Sequence, residues 1–139
     1  MSDRFDLERF VKAQEGVYAE VVAELRRGYK ESHWMWFIFP QLKGLGRSWM
    51  AEKFGIGSRE EAEAYLAHAV LGPRLVECTE LVNRVEGRAI ESIFGPVDAM
   101  KFRSSMTLFG AVAKDARVFE EALRKYFGGR GDEWTLGRV

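Results

Sequence analysis

Apolar residues recur along most of this chain at spacings of three and four, with charged residues between them, which is the period of amphipathic helices. Leu7, Phe10 and Val11 fall on one side after Asp6, which reads as an N-cap, and Gly16 interrupts the pattern. Val17, Val21, Val22 and Leu25 form the apolar face of a second helix, with Glu20, Glu24 and Arg27 opposite and Gly28 as its stop. The run His33-Trp34-Met35-Trp36-Phe37-Ile38-Phe39-Pro40 breaks the period, because it has no polar alternation and ends in proline. It reads as a short buried helical or irregular segment and as the structural centre, since no other stretch offers a strand to pair with it.

Gln41–Gly46 reads as a loop with two glycines, leading into a short helix over 48–54 closed by Gly55. Ser58 and Glu61 make a capping-box signature for a helix carrying Ala62, Tyr65 and Leu66. Leu71-Gly72-Pro73 breaks that helix, and Pro73 suits the first turn of the next, whose stripe is Leu75, Cys78, Leu81, Val82 and Val85. Ile90, Ile93 and Phe94 mark a short helix ended by Gly95. From Pro96 to Ala113 apolar side chains cover most of the circumference, as in a central helix. Asp115 reads as the cap of a last helix stopped by Gly128-Gly129, and the tail from Arg130 as short coil anchored by Trp134. The pattern therefore predicts an all-α fold, an irregular bundle of about seven to eight short helices in one domain spanning 1–139.

Composition narrows the functional classes. A 139-residue chain that is 47% hydrophobic and 30% charged can bury a core without staples. Lys plus Arg and Asp plus Glu both number 21, so there is no bulk excess of cations for nonspecific nucleic-acid binding. The longest apolar run is too short to span a membrane. One cysteine, Cys78, and an N-terminus charged from Asp3 onward, without a signal-peptide pattern, point to a reducing, cytoplasmic setting. Neither the oligomeric state nor a partner is legible.

Four groups of residues carry possible chemistry. Gly44-Leu45-Gly46-Arg47-Ser48, with Lys43 before it, enters a helix as an anion-binding turn would, or is simply a turn plus N-cap. His33 beside Trp34, Trp36 and Gln41 suits a base-stacking wall with a titrating imidazole, or a core-edge histidine among core tryptophans. Lys101 shares a helix face with Ser104 and Ser105, near Thr107, which fits either a Ser–Lys nucleophile or small hydroxyls bonded back to the preceding turn. Glu8 stands four residues before Lys12, the spacing of an exposed ion pair contributing about 0.3–0.5 kcal/mol. Cys78 reads as a small core residue, and Arg130-Gly131-Asp132 as an incidental triplet. With His68 in a different helix and no Cys-x-x-Cys or His-Glu-x-x-His spacing, neither a metal site nor a cofactor is expected.

The stretch HWMWFIFPQLKGLGRS (33–48), with FVKAQ (10–14), YLAHAVLGPRL (65–75), IFGPVDAMKF (93–102) and SSMTLF (104–109), resembles the bacterial domain-of-unknown-function family 1810. That family is mostly helical and sometimes mislabelled calpastatin, and the resemblance implies a fold without an activity. ERFVKAQ (8–14) is also similar to the Glu-x-x-x-x-Ala-Gln signature of the NADAR N-glycosidases, which act on ADP-ribose-linked or ribosylamine substrates. That second resemblance implies Glu8 as a catalytic carboxylate and Gln14 as a ligand contact. Together these readings predict a metal-independent site for an anionic, nucleotide-like or ADP-ribose-like small molecule, with N-glycosidic hydrolysis as its chemistry. Glu8 and His33 would be its catalytic groups, and Gln14, Trp34, Trp36, Gln41, Lys43, Gly44, Gly46, Arg47 and Ser48 its ligand contacts. The competing expectation is a non-enzymatic module that binds a protein or metabolite.

Overall fold

The computed structural model describes residues 3–139; Met1 and Ser2, which begin the N-terminal reading, lie outside the described residues. Among the described residues the chain forms ten helices and no strand: α1 Glu8–Gln14, α2 Tyr18–Arg27, α3 Met35–Ile38, α4 Trp49–Phe54, α5 Arg59–Ala67, α6 Leu71–Arg84, α7 Ile90–Phe94, α8 Pro96–Val112, α9 Arg117–Phe127 and α10 Glu133–Leu136. The all-α bundle is as the periodicity predicts. The two helices beyond the expected seven to eight are single turns of 4 residues each, α3 and α10, too short for a period to register. None of the helices is long and apolar enough to cross a membrane.

Several helix ends differ from their sequence reading. Asp6 does not cap α1: its own φ is +51°. The cap comes instead from Asp3, whose carboxylate accepts the N–H groups of Leu7 and Glu8 at 2.8 and 2.9 Å. Ser58 caps α5 as expected, accepting Glu61 N–H at 3.1 Å, while the Glu61 carboxylate reaches one residue further back, to Gly57 N–H at 2.9 Å. His68 proves to be a cap as well, its Nδ1 accepting from Val70 and Leu71 N–H at 3.1 and 3.2 Å at the start of α6. Asp115 lies one residue before the α9 cap position, accepting Arg117 N–H at 3.2 Å and pairing with its guanidinium at 2.7 Å. The tail read as coil instead winds into α10, because the Asp132 carboxylate accepts from both the N–H and the hydroxyl of Thr135 at 2.9 and 2.6 Å.

α8 is the central helix; it packs on α5, α7, α9 and α10. Phe102 and Phe109, both fully buried, project from it into a chain of aromatic contacts. Phe39 meets Phe102 edge-on at 5.0 Å, Phe94 lies 5.1 Å from the same ring, and Tyr65 lies 5.3 Å from Phe109. The Trp34–Phe39 segment supplies the middle of this core, with Trp34, Met35, Phe37, Ile38 and Phe39 all buried and Trp36 half-buried. α5 and α6 approach so closely that a Cβ on Gly72 would sit 2.1 Å from the Leu66 carbonyl oxygen. No other residue type fits there. Cys78 is buried between α6 and its neighbours beside Tyr18, as a small core residue, and burial pushes its thiol pKa up to about 12.

An isolated parallel bridge joins Leu42 to Ile56, with Lys43 N–H donating to Ile56 O at 2.8 Å and Ile56 N–H to Gln41 O at 2.9 Å. It ties together the two ends of the 43–55 excursion, in which α4 turns Ala51 and Phe54 inward, Phe54 against Phe10 and Phe37 at 5.7 and 5.4 Å, and leaves Trp49 and Lys53 exposed. That excursion positions the site described next.

Candidate functional site

α1 and α4 flank an open cleft of about 400 Å³ lined by Asp6, Glu8, Arg9, Lys12, Lys53 and Phe54, with Ala13. Arg9 builds its wall. The guanidinium donates to Lys53 O at 2.7 Å, Phe5 O at 2.6 Å, Asp6 O at 2.8 Å, Gly55 O at 3.0 Å and the Glu61 carboxylate at 2.7 Å. One side chain thus sews the first helix to the end of α4 and the start of α5. With every N–H engaged, Arg9 has no donor left for a ligand.

Glu8, Lys12 and Lys53 are exposed around that wall. Glu8 forms no ion pair among the described residues, so the expected pairing with Lys12 is absent and its carboxylate stands open to the cleft. Trp49 lies on the same face of α4 as Lys53, whose ammonium sits 4.8 Å over its ring. Trp49 is 69% exposed, the most exposed large hydrophobic side chain among the described residues. Sequence reading passed over it because Ser48 and Lys53 give it an ordinary helix-surface context. The available clue was a tryptophan one position past an N-cap, outside any apolar stripe.

The turn preceding α4 is partly committed. Ser48 Oγ accepts Ala51 N–H at 3.1 Å, which is the N-cap reading. Gly44, at φ +102°, leans toward the C-terminal turn, where a Cβ on it would lie 3.4 Å from the Trp134 ring. Lys43, Gly44 and Arg47 are exposed and Gly46 is half-buried.

The remaining sequence-chosen residues gather elsewhere. Gln14 is buried, its Nε2 donating to Phe37 O at 2.8 Å and its Oε1 accepting from Arg74 at 3.2 Å. Trp34 is 2% exposed and its indole N–H donates to Glu24 at 3.0 Å. That same carboxylate accepts the N–H groups of Glu31 and Ser32 at 2.8 and 3.0 Å and the Ser32 hydroxyl at 2.6 Å. Desolvation pushes the Glu24 pKa upward, but these hydrogen bonds together outweigh it and hold the group at about 2. Trp36 lies under Lys101, whose ammonium is 4.0 Å from its ring centroid. Lys101 and the nearly buried Lys30 both pair with Asp98, at 3.2 and 2.9 Å. Lys101 is therefore directed to Asp98 and Trp36. Ser104 bonds back to Met100 O at 3.1 Å and Thr107 to Arg103 O at 2.7 Å, as packing hydroxyls do. Gln41 Oε1 and Ser105 Oγ are buried without a partner among the described residues. His33 is exposed next to Trp34 and does not line the α1–α4 cleft. Among the described residues no group of three or more His, Cys, Asp or Glu side chains is arranged to hold a metal ion.

Comparison with known proteins yields a family and one solved relative. No curated protein matches this chain. The crystal structure at 1.38 Å of the conserved hypothetical protein Rv1873 from Mycobacterium tuberculosis matches with 58% identity and a TM-score of 0.96, covering 97% of this chain and 96% of that one. A family model described as "Protein of unknown function (DUF1810)" matches residues 4–139, so this chain is a member of that family.

Proposed function

We propose that the protein binds an anionic, nucleotide-like small molecule on the α1–α4 face and that Glu8 acts on it by N-glycosidic hydrolysis. The observation that carries this reading is the presence of Glu8, Lys12 and Lys53 around one cleft, beside an exposed indole on the same helix face as Lys53. Trp49 offers the stacking surface that Trp34, locked into the core, does not. Lys12 and Lys53 offer charge to phosphates, and the Lys43–Ser48 turn lies one six-residue helix away, about 9 Å at the usual rise. Lys43, Gly44, Gly46 and Arg47, beyond the N-terminal end of α4, are the groups that would take a second phosphate. Gln14, Trp34 and Gln41 support the scaffold behind it.

Cleaving an N-glycosidic bond leaves the electron pair on nitrogen and builds positive charge on the ribose; water then adds to the anomeric carbon, and the proton it loses ends on the departing nitrogen. An adjacent carboxylate stabilises that charge without a metal. Glu8 is the cleft carboxylate suited to the task, because Asp6 belongs to the tight turn before α1. A non-enzymatic binding module is the second reading, favoured by the absence of a histidine from the cleft lining.

A thermal-shift titration with ADP-ribose, followed by product analysis on an ADP-ribosylated or ribosylamine substrate, separates the two. Glu8→Gln should keep the ligand-induced stabilisation and lose turnover. Equal turnover in the variant and the wild type removes Glu8 from the chemistry and leaves the binding module.

A further inference from the structure

A second concavity, of about 630 Å³, opens on the other side of the glycine turn, between α8 and α10, and it owes nothing to Glu8. Its lining includes Arg103, Arg130, Asp132, Glu133, Trp134 and Leu136. The C-terminal turn that forms one wall is fixed in place. Asp132 N–H donates to Thr107 Oγ1 at 2.9 Å, and a Cβ on Gly131 would lie 3.0 Å from Thr107 Cγ2, so the backbone there rests directly on α8.

Arg103 is prepared for a ligand in a way that Arg9 is not. Its Nε donates to Arg130 O at 2.9 Å, and its guanidinium carbon lies 5.4 Å from the Phe127 ring centroid. One bond and one stacked face set its orientation. Both Nη groups lack a hydrogen-bond or ion-pair partner among the described residues, leaving a two-nitrogen fork with four N–H donors. A guanidinium held this way meets a phosphate or carboxylate through two parallel bonds with little ordering cost. Arg130 adds a second cation at the cleft. Two carboxylates also line the cleft: Asp132, whose Oδ2 is turned to the Thr135 N–H and hydroxyl, and the exposed Glu133, whose charge opposes an anion. Leu136, 53% exposed, and the half-buried Trp134, over whose ring the Arg138 guanidinium lies at 3.9 Å, give the same cleft an apolar part.

We infer that this cleft is an anion site for an aromatic phosphate monoester, with Arg103 as its anchor. Two guanidinium groups suit a doubly charged tetrahedral group better than a single carboxylate does, and the indole and leucine receive the ring. Phenyl phosphate is the probe. It is titrated into the full chain by calorimetry and by following amide and indole N–H resonances, alongside inorganic phosphate and phenol.

Phenyl phosphate should bind more tightly than either fragment and move the Trp134 indole resonance. Arg103→Gln should weaken it about tenfold or more, the usual loss on removing a charge-assisted pair of bonds. Arg103→Lys, which keeps the charge and loses the fork, should recover only part of that. Glu133→Gln, at an exposed position, should tighten binding by removing a like charge. Absence of binding, wild-type affinity in Arg103→Gln, or shifts at the Trp49 indole in place of Trp134 would each overturn the proposal. Inorganic phosphate binding as tightly as phenyl phosphate would overturn the aromatic part of the ligand.

Discussion

Trp34 and Trp49 are the same residue in almost the same local company, and they have opposite fates. Each has a lysine ammonium over its ring, Lys30 at 5.1 Å and Lys53 at 4.8 Å. Trp34 is 2% exposed, with its N–H held by a buried carboxylate and its ring tilted against Phe39 at 6.2 Å and edge-on to Phe94 at 6.3 Å. Trp49 is 69% exposed and makes no hydrogen bond to the described residues. The difference lies in their neighbours along the chain. Trp34 begins a run of apolar residues that can only be satisfied in the interior, whereas α4 buries Ala51 and Phe54 and leaves Trp49 on the exposed face it shares with Lys53. A dense aromatic run marks packing, and a solitary aromatic outside an apolar stripe marks surface available for recognition.

Three substitutions would break or sharpen that contrast. The largest effect belongs to Trp34→Ala, expected to cost about 3–5 kcal/mol by urea denaturation through the cavity it leaves. A variant as stable as wild type would remove this segment from the core. Next comes Glu24→Gln, which replaces an acceptor facing several donors with an amide that opposes some of them, at a cost of about 1–3 kcal/mol. Its pH dependence carries a sign. The Glu24 pKa falls from 4.5 to about 2 on folding, so its contribution is fully present above 4.5 and disappears as pH falls toward 2. Acid titration of stability should be shallower in the variant across that window, and parallel curves would remove Glu24 from the acid response. The smallest effect on stability is that of Trp49→Ala, within about 0.5 kcal/mol of wild type. The same substitution should lose most of the thermal shift with ADP-ribose. Comparable destabilisation by the two tryptophan variants would end the comparison.

The sequence carried the helices well because their apolar stripes are local. α2, α8 and α9 lie where apolar spacing and the flanking glycines place them, whereas the break read at Leu71-Gly72-Pro73 comes earlier, after Ala67, and those three residues form the first turn of α6. Single turns were harder to see. α10 depends on the Asp132 side chain finding Thr135, and the α1 cap comes from Asp3 because Asp6 is turned into a positive-φ bend. Glu8 and Lys12 could be read as a pair in sequence, but their cleft could not. Its wall is Arg9, whose partners Lys53, Gly55 and Glu61 lie 44 to 52 residues away. A long-range knot of that kind leaves no periodic trace. The Trp34, Trp36 and Gln14 assignments met the same limit, since whether a polar or aromatic side chain faces outward or inward depends on which distant acceptor it reaches.

The chain has a single thiol, Cys78, packed where the second and sixth helices meet, with a pKa pushed up to about 12 by burial. A thiol that is both hidden and protonated is chemically silent as long as the helices around it stay together. The molecule therefore contains its own clock for opening. At neutral pH, the rate at which an alkylating reagent reaches Cys78 measures how often the bundle comes apart at this seam, without any label being introduced.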